Sequence, residues 1–136
     1  MDISTLEVED TCPIHVKDAK GNPLYKNDGT PVVITVYGPS SDAYARLETR
    51  QTQRAMKRLD ENDGKRVAMT PEDRLTQTAE DLAEITHSID GLTSDGKTGR
   101  DLALAIYGNR KLGFIPNQVT AKLNDWGNFA PASPTS

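Results

Sequence analysis

The chain is poor in the residues that build covalent staples, metal centres and nucleophilic sites. It has 136 residues but one cysteine, Cys12, and two histidines, His15 and His87. A lone cysteine excludes a disulfide within the chain. No His-x-x-x-His, Cys-x-x-Cys or His-Glu-x-x-His spacing occurs, so no dedicated metal site is expected. Cys12 and His15 lie three apart in a segment that reads as extended, which sends their side chains to opposite faces and argues against a thiolate pair. Cys12 reads instead as a small, partly buried residue. Aromatics make up 5% of the chain and hydrophobic residues 35%, so the core must be small and aliphatic. No apolar run approaches the ~18 residues that a spanning helix needs. The start is acidic (Glu7, Glu9, Asp10) and lacks the basic-then-apolar order of a signal peptide. The expectation is one domain, 12–129, of a cytosolic protein, with flexible ends at 1–11 and 130–136. No cofactor and no catalytic residue is expected.

What is present is a change of character near residue 38. Ile14 and Val16 alternate with His15 and Lys17, and Asp18 to Pro23 is dense in turn residues. Leu24-Tyr25 suits a short second strand, and Asp28-Gly29 favours a type I′ hairpin turn. Val32 to Tyr37 is β-branched almost throughout and carries the strongest strand signal. The segment 12–37 therefore reads as a β-hairpin or small antiparallel sheet.

Beyond Gly38-Pro39 the periodicity becomes helical. Ser40 or Ser41 can cap a helix over 42–61, whose apolar stripe (Tyr44, Leu47, Met56, Leu59) is thin. Thr70-Pro71-Glu72-Asp73 is a helix start: a capping hydroxyl, proline at the first position, and acids at the positive end of the dipole. Leu75, Ala79, Leu82, Ile85 and Ile89 predict that this helix runs over 71–90. Further helices are expected at 99–107 and 116–127. The fold class is α+β, mainly α.

Charge is uneven. Net charge is −4, yet residues 38–66 carry +2 and 67–94 carry −5. Arg46, Arg50, Arg54 and Arg58 fall four apart and form one ridge of a helix. The ridge can dock an acidic partner or a phosphate backbone, or it can face solvent and the acidic helix after it. With Met56 and Leu59 it forms one candidate partner surface. Tyr107, Phe114, Trp126 and Phe129 form a second, because aromatics dominate interface hot spots; closing the C-terminal core is the equal alternative. Gly91-Leu92-Thr93-Ser94-Asp95-Gly96-Lys97-Thr98 formally matches a phosphate loop. The segment before it reads as an acidic helix rather than a buried strand. Its glycines therefore read as a helix stop and a connecting loop.

Taken together, Cys12 to Asp18, the run Pro31 to Tyr44 containing Tyr37-Gly38-Pro39-Ser40-Ser41, and the Arg-rich helix after it resemble tail assembly chaperones of long-tailed bacteriophages. Leu75 to Leu92, Ala105-Ile106-Tyr107 and Asn124 to Phe129 extend the resemblance over about 12–129. One departure is Thr93 to Thr98, where many relatives carry a tryptophan-containing apolar turn. The resemblance implies a chaperone that binds the tape-measure protein, keeps its helices soluble and helps recruit tail-tube subunits. It further implies that the major tail-tube protein, another copy or a frameshifted longer form can be partners, that the chain acts in the host cytoplasm, and that the finished virion lacks it. A structural tail or connector component is the competing role. A small nucleic-acid-binding regulator using the arginine ridge is a further one, against which the acidic bulk charge counts.

Overall fold

The computed structural model describes residues 1–64 and 68–131. It is a mixed α+β fold, mainly helical, with one three-stranded antiparallel sheet in the order β1 (Thr11–His15), β2 (Val33–Tyr37), β3 (Thr86–Asp90). Four helices accompany it: α1 (Asp42–Glu61), α2 (Pro71–Glu84), α3 (Gly99–Tyr107) and α4 (Phe114–Leu123). Short 3-10 turns lie at Ile3–Leu6, Arg110–Leu112 and Trp126–Phe129. Of the end expected to be flexible, 132–136 lie outside the described residues.

β2 is the middle strand. Ile14 on β1 faces Ile34 on β2, which in turn faces Ile89 on β3. Cys12, Ile14, Ile34 and Val36 are buried on one face of the sheet against Leu82, Ile85, Ile106 and Val119 of the helical part. The other face alternates toward solvent, as antiparallel sheets do. Between β1 and β2 the chain makes a narrow arm. Leu24 donates its N–H to Val16 O at 2.9 Å, and Val32 N–H reaches Leu24 O at 3.0 Å. The expected second strand at Leu24-Tyr25 is therefore reduced to isolated bridges, Lys17 with Pro23 and Tyr25 with Pro31. Two prolines in those pairs remove the N–H groups that a longer ladder would need. The Asp28-Gly29 turn is also not type I′. Only Gly29 has positive φ (86°), and Asp28 accepts from Thr30 N and Oγ1.

α1 starts and stops at the expected residues, and both ends are local chemistry. Ser41 Oγ accepts from Tyr44 N at 3.2 Å and donates to Gly38 O at 2.7 Å. Asp63 and Gly64 then adopt positive φ and terminate the helix. α2 also begins as expected, with Thr70 Oγ1 accepting from Asp73 N at 3.1 Å.

α2 ends six residues before the expected 90. Thr86 Oγ1 donates to Leu82 O at 2.7 Å and satisfies a carbonyl of the last helical turn. Ile85 O accepts from Tyr37 N at 2.7 Å, so the chain is drawn onto the exposed edge of β2. Residues 86–90 become β3, with a register shift beside Thr35/Val36. Ile85 and Ile89 fit a helical stripe, but Ile89 also fits strand alternation. An unfilled edge on a buried strand decides between them.

α4 begins at Phe114, two residues before the expected 116, and ends at Leu123 rather than 127. Pro116 sits in its first turn, where the missing N–H costs nothing. Asp125 then accepts from Gly127 N at 2.9 Å and turns the chain so that Phe129 enters the core. There Phe129 O accepts from Glu9 N at 2.6 Å, and its ring lies against the backbone of Gly38.

That last contact leaves no room for a side chain at position 38. Gly38→Ala is expected to cost ~1–3 kcal/mol through collision with the Phe129 ring. Phe129→Ala should cost ~3–5 kcal/mol through the cavity it leaves. The double variant should be no less stable than Phe129→Ala alone, because the collision has gone. Urea denaturation of the three variants measures this; strictly additive losses would contradict the contact.

Candidate protein-binding surface

The arginine ridge of α1 points at the acids of α2. Arg54 forms an ion pair with Asp81, which also accepts from Gln51 Nε2 at 3.2 Å. Arg50 and Arg100 both reach Glu84 Oε2, each at 3.3 Å. Arg58 donates to Gln77 Oε1 at 2.9 Å. Only Arg46 of the four has no such partner among the described residues. The +2 and −5 segments therefore meet each other. The Arg54–Asp81 pair is the most shielded, with side chains 24% and 12% exposed, whereas Arg50 is 47% exposed. Exposed pairs contribute only ~0–1 kcal/mol, but a buried carboxylate stripped of its partner is costly.

The aromatic candidates separate into two groups. Tyr107 and Phe129 are fully buried and belong to the core, so neither is open to a partner as the sequence suggests. Tyr107 OH meets Thr86 Oγ1 at 2.8 Å, which joins α3 to β3. Burial pushes the Tyr107 phenol up to about 12, against the smaller opposing effect of the Thr86 hydrogen bond. Phe114 is half-buried against the core. Trp126 is 56% exposed.

What remains at the surface is a set of separated apolar side chains. Met56 (62% exposed) and Leu59 (41%) lie on the C-terminal half of α1. Trp126 shares a cleft of about 420 Å³ with Leu6, Val8, Glu7 and Asp10. Leu6 and the neighbouring Ile3 were not expected at a surface site. Their signal in the sequence is faint: two apolar residues three apart within an acidic run.

The residues that carry reactive chemistry are held otherwise. Cys12 is buried, and burial pushes its thiol up despite the nearby Lys122 charge. His15 Nε2 lies 2.8 Å from Leu24 O, and its ring stacks edge-on against Tyr25. The loop 91–98 follows a strand, not the helix expected there, and leads into α3. It thus has the outline of a phosphate loop. Yet β3 is an antiparallel edge strand, and Lys97 N–H is spent on Ser94 O within a turn. Among the described residues there is no cluster of three His, Cys, Asp or Glu able to hold a metal. No described helix is long and apolar enough to cross a membrane.

No family model and no curated protein matches the sequence, and no solved structure matches the fold.

Two measurements check the energetics of these contacts. Arg54→Met should destabilise the fold by about 2–3 kcal/mol, below the ~3–5 kcal/mol of a fully buried pair. Arg54→Met with Asp81→Leu should recover most of that loss, since no charge is then left unpaired; additive losses in the double variant would reject the pairing. Tyr107 generates a pH dependence. Its folded value lies above the ordinary 10.0, so the folded state holds the proton more tightly. Stability should be unaffected below about pH 10 and fall between about pH 10 and 12. Tyr107→Phe should flatten that fall in denaturation curves taken across the range. An unchanged slope would assign it to other groups.

Proposed function

We propose that this chain is a protein-binding assembly factor, a tail assembly chaperone of a long-tailed bacteriophage that holds the tape-measure protein soluble. The observation that carries the binding role is the exposure of the apolar side chains Met56, Leu59 and Trp126, the first two on α1, where Arg50 and Arg54 are paired with acids of α2. A client of amphipathic helices needs apolar contacts with polar surroundings. The phage assignment rests on the order of segments over 12–129 described above. On this reading the chain works in the bacterial cytoplasm, helps recruit tail-tube subunits, and leaves before the virion is complete. The pairing of Arg50 and Arg54 with acids of α2 weighs against a nucleic-acid regulator, because phosphate binding needs cations that are free to displace counterions. Arg50 and Arg54 are poor probes of the client surface, since they hold α1 to α2.

The test is co-expression with the tape-measure protein. Met56→Ser with Leu59→Ser, or Trp126→Ala, should lower soluble client several-fold while the chain itself keeps its melting temperature. Unchanged client solubility with both variants folded would reject the proposed surface. Stoichiometric presence of the chain in purified particles would reject the chaperone role in favour of a structural one.

A further inference from the structure

A groove of about 400 Å³ runs between α2 and α4, on a part of the molecule that the surface above does not use. One wall is a single face of α2, presenting Arg74, Leu75 and Thr78. The other is a single face of α4, presenting Pro116, Asn117 and Thr120. On both walls the residues fall at the i, i+1, i+4 spacing that shares one side of a helix. Tyr107 forms the floor between them, and Arg110 closes the end near the start of α4. Tyr107 and Pro116 are buried, so Leu75 is the apolar side chain these walls offer, and the two cations line the same groove. Neither Arg74 nor Arg110 is in an ion pair among the described residues, whereas Arg50, Arg54 and Arg100 are. Glu72 and Asp73, the nearest acids in sequence, do not line the groove.

We infer that this groove is a docking site for an acidic amphipathic helix of a partner protein. Two helical walls make a trough shaped for a third helix, and no strand edge lines it to pair with an extended peptide. Residues 71–78 rise about 10 Å at ~1.5 Å per residue, so the contact is about two turns long. An apolar side chain of the partner packs on the half-buried Leu75, above the buried Tyr107 and Pro116. Carboxylates on either side of it pair with Arg74 and Arg110, whose planar forks suit bidentate contact. The inference deepens the chaperone reading and rests on it for the partner: it names the kind of client helix that the chain selects.

The probe is a short alanine-based helical peptide with one central leucine flanked by glutamates, with a lysine-for-glutamate peptide as control. The full chain is followed by backbone amide NMR. The acidic peptide should shift Leu75, Thr78, Asn117 and Thr120, and bind more weakly as salt rises. Arg74→Glu with Arg110→Glu should weaken it about tenfold or more at unchanged melting temperature, and should favour the lysine peptide. Shifts that map elsewhere, equal binding of both peptides by the unaltered chain, or an unaffected double variant would overturn the site. So would a DNA duplex that occupies the same residues more tightly, or concentration-dependent shifts there from a second copy. In co-expression, a double variant that loses the peptide yet keeps the tape-measure protein soluble overturns the groove as client site and leaves the chaperone role intact. If the unaltered chain fails to solubilise the tape-measure protein, the chaperone role falls, while peptide shifts within the groove still uphold the site.

Discussion

β2 carries backbone hydrogen-bonding groups on both edges and apolar side chains pressed into the core, and most of the architecture follows from satisfying both. Ile34 and Val36 are fully buried. A strand so placed cannot leave one edge to water without exposing the seam beneath it. β1 takes one edge. The other is taken by residues that a local pattern would continue as helix, and this shortens α2 to Pro71–Glu84. The same exchange sets the loop 91–98 after a strand and starts α3 from the sheet edge. Tyr107 on α3 then returns to Thr86, the first residue of β3, and locks the join.

α1 illustrates a second means of attachment. It buries Ala43 and Leu47 in its first half and little apolar surface afterwards. Its middle is held by Gln51 and Arg54 on Asp81 and by Arg50 on Glu84. Polar docking of this kind is directional and contributes modestly, but a buried acid left alone would be costly. It fixes the rotation of α1 and turns Met56 and Leu59 outward, so the intramolecular use of the arginines and the exposure of the apolar pair have one cause.

The two ends of the chain meet around Phe129, whose ring lies on Gly38 while its carbonyl takes the Glu9 N–H. Burying Phe129 leaves Trp126, three residues earlier, on the outside of a 3-10 turn beside Leu6. The N-terminal segment thus contributes to the surface that includes Trp126. Between α2 and α4 the chain leaves a separate trough with a buried phenol as its floor. The chain therefore presents two chemically distinct surfaces, one acidic and aromatic, the other basic over an apolar floor.

The starts of α1 and α2 and the stop of α1 were legible in the sequence because they are local. Ser41, Thr70 and Asp63-Gly64 act within three or four residues of themselves, and hydroxyl caps or positive φ need no tertiary partner. The charge ridge was legible as well, though its spacing alone could not say whether it met a partner or the chain. The fate of residues 85–90 was not legible, because Ile85 and Ile89 satisfy either period and only the empty edge of β2 chooses. Nor was the difference between Trp126 and Phe129, two aromatics three residues apart, of which one fills the space above a glycine 91 positions away. By itself the sequence determined the elements whose energies are local: caps, breakers and the arginine ridge. The tertiary structure alone decided strand against helix at 86–90, which aromatics are buried, and which arginines stay free, because each depends on a surface assembled from distant segments.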